Sequence, residues 1–170
     1  EDFFVAESRE SLREQYRFEG QVFLYAGAHG PANGLELLLD AAAQVSDLND
    51  VSIVLVGDGS RKEGLQQEAE RRHLSNVRFL DPVAKTEIPR LLAAADVGLH
   101  VLADVELFKA GVSPNKIFDY MAASLPVLTN NEGVVGDIVK EAGCGWVSRP
   151  DDIAASIREA AAVPPSVRSE

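Results

Sequence analysis

Short, nearly unbroken apolar runs alternate along this chain with stretches whose apolar residues recur three and four positions apart. The first pattern marks strands buried on both faces; the second marks helices with one buried face. Strands are predicted at Gln21–Ala26 (QVFLYA), Val51–Val56 (VSIVLV), 76–80 (NVRFL), 96–101 (DVGLHV), 125–128 (LPVL) and 145–148 (GWVS). Between them, Pro31-Ala32 opens a helix with Leu35, Leu38, Leu39, Ala42 and Ala43 on one face. Ser60 is the expected N-cap of a second helix, with Glu63 as capping-box partner. Thr86 is the expected cap of a third, whose inner face holds Ile88, Leu91 and Leu92. Ser113 followed by Pro114 starts a fourth, with Ile117, Phe118, Met121 and Ala122 as its apolar face. Asp151 or Asp152 caps a last helix bearing Ile153 and Ile157.

Strand and helix alternating in this way predict an α/β fold: a Rossmann-like, doubly wound parallel sheet with helices on both faces. The 170 residues are read as a single domain, with residues 1 to about 20 as an entry segment and 163–170 as a tail. Open sheets of this kind bind ligands beyond the carboxyl ends of their strands, so the loops there are where chemistry is expected.

Two of those loops are glycine-rich. GAHGPANG follows the first strand and GDGS the second. Glycines at a strand-to-helix turn let a ligand approach the backbone, and the helix that follows aims free N–H groups at an anion. The same glycines also suit a plain tight turn. Neither loop is a dinucleotide fingerprint or a P-loop. His29 offers a hydrogen bond to a phosphate, or is a solvent-exposed loop histidine. Lys116 and Asp119, three residues apart, form either a surface ion pair or a pair of ligand contacts. In the second case the Lys116 ammonium and the first-turn amides hold a diphosphate, and Asp119 accepts hydrogen bonds from a ribose.

Composition narrows the partners. The formal charge of −11 speaks against nucleic acid, whose phosphates need a basic surface, and against an anionic membrane surface. One cysteine, Cys144, allows no internal disulfide and no cysteine zinc site, and three scattered histidines offer no metal site. The first residues, EDFF, lack the basic start and apolar run of a signal peptide, and no run is long enough to span a bilayer. The expectation is a cytoplasmic protein.

The motifs LVGDGS, NVRFLDPV, LLAAADVGLHV and SPNKIFDYMAASLPVLT, in that order and ahead of GWV, resemble the C-terminal half of a GT-B-fold glycosyltransferase. The likeness is to the large retaining group called family 4, and within it to the branch that builds bacterial surface polysaccharides. It runs over nearly the whole chain, and SPNK followed by the Phe-Asp-Tyr-Met-Ala-Ala helix is its most specific part.

The resemblance implies a nucleotide-sugar donor, UDP-linked, bound without metal or other cofactor. Asp119 would hold its ribose. Ser113, Pro114, Asn115 and Lys116 would meet the diphosphate, and Gly27, His29 and Gly30 would close on it from the other side, with Gly57 in the neighbouring loop. Val83 falls where the family contacts the base. No catalytic residue is assigned with certainty. An acceptor glycan or lipid-linked glycan would be held by an absent N-terminal domain, through which the protein would sit peripherally at the inner membrane, and the isolated domain would be inactive. Two features depart from the family. Gly111 stands where many members carry the first Glu of a Glu-seven residues-Glu motif, and the first loop has Ala28, His29 and Asn33 where many have Arg and Lys. They keep open a non-catalytic or regulatory domain, or half of a nucleotide-sugar epimerase.

Overall fold

The computed structural model describes residues 5–103 and 115–163. Its six strands are β1 (Gln21–Ala26), β2 (Val51–Val56), β3 (Val77–Leu80), β4 (Val97–His100), β5 (Val127–Thr129) and β6 (Gly145–Val147). They form one sheet in the order β3-β2-β1-β4-β5-β6, with every pair parallel. This is the doubly wound order, and its direction reverses between β1 and β4. The carboxyl ends of those two strands therefore flank the crevice where such sheets take ligands.

Seven α-helices lie among the described residues: α1 (Arg9–Tyr16), α2 (Glu36–Gln44), α3 (Lys62–Arg71), α4 (Ile88–Ala94), α5 (Asn115–Ala122), α6 (Val134–Ala142) and α7 (Ile153–Ala162). Two apolar cores cover the two faces of the sheet. One packs α2 and α7 through Leu38, Leu39, Ile153 and Ile157 onto Phe23, Ile53 and Leu99. The other packs α1, α4, α5 and α6 through Leu12, Leu91, Ile117 and Val139 onto Leu24, Val54 and Val127. Alternate residues of each strand serve opposite cores, which is why the strands read as continuous apolar runs.

Several local expectations are corrected. Residues 9–16 are not merely an entry segment; they form α1, capped by the Ser8 side chain. That helix is docked by charge: Asp96, 8% exposed, accepts from Arg9 at 2.6 Å, from Arg13 at 3.0 Å and from the Val22 amide at 2.8 Å. α6 was not indicated by periodicity either. Pro31 opens only a 3-10 turn, Pro31–Asn33, and α2 begins after a left-handed Gly34. Ser60 and Thr86 are not caps: α3 starts after Arg61 and α4 after Glu87, with no side-chain cap bond at either. Asp152 does occupy the cap position of α7, but its carboxylate pairs with Arg149. On α5, Ile117 and Tyr120 are buried while Phe118 is 51% exposed and Ala122 is exposed, so the inner face is turned from the one expected.

Candidate functional site

Because all six strands run parallel, the loops leaving their carboxyl ends lie along one edge of the sheet. Residues 27–30 follow β1, Gly57 follows β2, Val83 lies beyond β3, and α5 begins on the far side of β4. Ser113, Pro114 and Gly111 fall outside the described residues. Asn115 is exposed and is the first residue of α5; Lys116 and Asp119, one turn apart, are half-buried.

The centre of the edge is a chain of polar contacts. Lys116 Nζ donates to Tyr25 Oη at 2.8 Å and lies 4.3 Å from the centre of the Tyr25 ring. The Tyr25 hydroxyl donates in turn to the Ala28 carbonyl at 2.9 Å. Asn33 Nδ2 donates to the same carbonyl at 2.8 Å. Thus a helix start, a strand end and the first loop are joined through one phenol oxygen. No carboxylate pairs with Lys116 among the described residues. Burial alone pushes its pKa down to about 8.

The glycines of this edge turn out to serve protein contacts first. A Cβ on Gly27 would lie 2.5 Å from Lys116 Nζ, so the missing side chain is what admits the ammonium. A Cβ on Gly57 would meet the Gly27 carbonyl oxygen, and one on Gly59 would lie 2.6 Å from the His29 carbonyl. The first and second loops therefore interlock, helped by the His29 amide donating to Asp58 O at 2.8 Å and the Arg61 amide to His29 O at 2.9 Å. Gly30 differs: among the described residues only Asn33 Nδ2, at 3.6 Å, approaches its Cβ position, so they leave that face of the loop open.

The reading of His29 as an exposed loop residue is corrected. Its side chain is fully buried between the Tyr25 and Phe79 rings, and neither ring nitrogen has a hydrogen-bond partner among the described residues. Burial and the nearby Lys62 ammonium hold it below the ordinary histidine range. Lys62 itself bonds Asp81 at 3.0 Å and the Leu80 carbonyl at 3.3 Å.

Three residues of this edge were not indicated by the sequence reading: Tyr25, Lys62 and His100. His100 ends β4, is 4% exposed, and its Nδ1 lies 2.9 Å from Thr129 Oγ1. Burial and the Lys116 charge lower its pKa to about 4. A usable signal was present. Tyr25 and His100 are polar residues near the carboxyl ends of mostly apolar strands, and buried polar groups must find partners.

Elsewhere, two surface grooves of about 360 and 420 Å³ flank α2. Their charges, such as Arg61 with Glu36 and Arg72 with Asp40, pair with one another. Among the described residues no cluster of His, Cys, Asp or Glu is placed to hold a metal ion, and no helix is long and apolar enough to cross a membrane.

Fold and edge together define a Rossmann-like domain of the kind that forms the C-terminal half of GT-B glycosyltransferases. The family model described as "Glycosyl transferases group 1" matches residues 20–163, and the chain belongs to that family. The putative colanic acid biosynthesis glycosyl transferase WcaI of Escherichia coli is 28% identical over 102 residues, 60% of this chain and 24% of its own length. The putative glycosyltransferase YtcC of Bacillus subtilis is 24% identical over 163 residues, 89% of this chain and 39% of its own. The chain thus spans well under half the length of these curated relatives.

Solved structures agree on the fold. The C-terminal domain of LpcC, a group 1 glycosyl transferase from Francisella tularensis, superposes with a TM-score of 0.80 at 18% identity, covering 98% of this chain and 88% of that one. WaaG, involved in lipopolysaccharide biosynthesis, gives 0.79 at 22% identity over 98% of this chain and 45% of that one. HepE from Anabaena, solved with UDP and glucose, gives 0.76 at 23% identity over 98% of this chain and 48% of that one.

Proposed function

We propose that this chain is the nucleotide-sugar donor-binding domain of a retaining glycosyltransferase, with a UDP-linked hexose-type donor and a polysaccharide or lipid-linked acceptor. One observation carries the reading: a half-buried ammonium with no carboxylate partner among the described residues, held at the start of a helix beside the sheet's switch point. An isolated buried cation is costly unless an anion completes it. The helix N-terminus adds a partial positive charge at the same place. A diphosphate fits both.

In this reading Lys116 and the first amides of α5 receive the diphosphate, Asp119 accepts from the ribose hydroxyls, and Gly30 with the open face of the first loop lies over the phosphates. Gly27 and Gly57 act by admitting Lys116 and locking the two loops. His29 supports the loop from beneath. Asn115 adds a polar side chain at the helix start, and Val83 lies beside the base. The leaving diphosphate would be stabilised electrostatically as the glycosidic bond breaks, with no metal required. The acceptor would be bound by a second domain, without which the domain described here turns over no donor. That HepE was solved with UDP and with UDP-glucose supports the donor class, and the names of WcaI and WaaG support surface glycans as products. A place in the cytoplasm, at the face of the inner membrane where lipid-linked acceptors are handled, follows from that acceptor class.

Titration of the chain with UDP and UDP-glucose by NMR tests this. Amide shifts confined to residues 27–30, 57–60, 115–119 and the neighbourhood of Val83 are expected. No shift with either nucleotide overturns the reading. A second reading, a domain that keeps the fold without catalysis, is favoured by Gly111 in place of the motif Glu. Donor hydrolysis by the full-length protein that disappears in Asp119→Ala would exclude it.

A further inference from the structure

We infer that Tyr25 is a positioning residue of this site: its hydroxyl fixes the Lys116 ammonium over Gly27 and ties it to the first loop, so that recognition of the diphosphate, and not of the nucleoside, depends on the Tyr25 oxygen. The inference rests on the reading of this edge as the donor-nucleotide site.

Tyr25 is fully buried at the end of β1. A phenol has one hydrogen to donate and lone pairs to accept with, and both capacities are used here. The hydrogen goes to the Ala28 carbonyl at 2.9 Å; a lone pair receives Lys116 Nζ at 2.8 Å. Because the donor role is taken, the oxygen can only accept from Lys116, so the ammonium has one defined seat. The ring beneath adds cation–π attraction at 4.3 Å, and Gly27 leaves room for it. An ammonium carries three donors. One is spent on Tyr25, which leaves two for an anion. A lysine on a flexible four-carbon stem gains most from such a seat, because its position is otherwise undefined.

The other groups around Lys116 do not substitute for this oxygen. Burial disfavours the charged form of both His100 of β4 and His29 of the first loop. Lys62 of α3, near His29, is bound to Asp81. Asp58 of the second loop bonds the Gly59 amide, and the Tyr120 hydroxyl donates to the Leu99 carbonyl. Asp119 follows one turn along the same helix.

Tyr25→Phe keeps the ring and the cation–π contact and removes only the hydroxyl. UDP affinity is expected to fall about tenfold, the scale of one charge-assisted hydrogen bond, with uridine affinity unchanged. The pH above which UDP affinity declines should also move lower, because the hydrogen bond favoured the charged form of Lys116. Equal losses for UDP and uridine mark a merely structural role and overturn the inference. So does an unchanged UDP affinity. Binding of neither ligand by the unsubstituted chain overturns the donor-site reading itself. Should the variant fail to fold, the ¹³Cζ resonance of Tyr25 in the unsubstituted chain carries the test. It should follow the Lys116 titration and shift with UDP but not with uridine; a resonance indifferent to both overturns the inference.

Discussion

Lys116 Nζ sits 2.8 Å from Tyr25 Oη and 2.5 Å from where a Cβ on Gly27 would stand. A cation from the first turn of one helix is thereby delivered to the end of a strand 91 residues earlier in the chain. Its charge has no carboxylate to neutralise it among the described residues, so its protonation should govern anion binding.

Lys116 carries its proton below about pH 8 and loses it above. UDP affinity should therefore decline as pH rises through about 8. In Lys116→Met the decline should vanish, with affinity about tenfold below the unsubstituted chain's low-pH level. Isothermal titration at five pH values reads both.

Gly27→Ala places a methyl against the end of a flexible lysine, whereas Gly57→Ala places one against the Gly27 backbone. The first should displace Lys116 and lower UDP affinity to the Lys116→Met level, and it should also cost stability, because Gly27 has a φ of +158°, which side chains rarely adopt. The second should cost about 1–3 kcal/mol of folding stability, because backbone cannot step aside. Urea unfolding of the two variants, with UDP titration of the first, distinguishes these effects.

Asp119→Ala should weaken UDP by about 1.5–3 kcal/mol, the scale for hydrogen bonds to a charged group, and leave pyrophosphate binding unchanged. Equal losses for both ligands would remove Asp119 from the ribose.

His100 titrates near 6.5 when unfolded and near 4 when folded. A lowered histidine pKa means that the native state disfavours the proton. Its contribution is complete above pH 6.5 and is lost as pH falls towards 4, about 2–4 kcal/mol in all. The variant His100→Gln should show a correspondingly shallower loss of stability between pH 6.5 and 4 in urea unfolding.

Asp96 joins α1 to the base of β4 and also accepts from the buried Val22 amide. Asp96→Ala should cost about 2–4 kcal/mol, since it strands a buried donor and two arginines. Amide exchange should show α1 released first.

The sheet was legible because parallel strands covered on both faces are apolar throughout, and all six appear within two residues of their expected bounds. Helices were less so. α1 buries a single residue, Leu12, and is held by arginines reaching a carboxylate more than eighty positions away, which no local periodicity records. α6 opens with two valines and contains Gly136, both poor helix formers, and it lacks a side-chain cap. Its helical state is set by burial of Val135 and Val139. At the site, Lys116 and Gly27 were each visible as candidates, but their contact was not, because it depends on how α5 is set against β1. His29 followed the rule that loop residues face water. The interlocked loops reverse that rule by closing over it.

That interlock has a bearing on redesign. Since Gly57 and Gly59 are moulded to the carbonyls of Gly27 and His29, the two loops are one mechanical part made from two segments of sequence. On the proposed function, exchanging donor preference by grafting the first loop of a related domain would import a shape cut for a different second loop. The smallest unit that can be transplanted is both loops together with the helix that supplies Lys116.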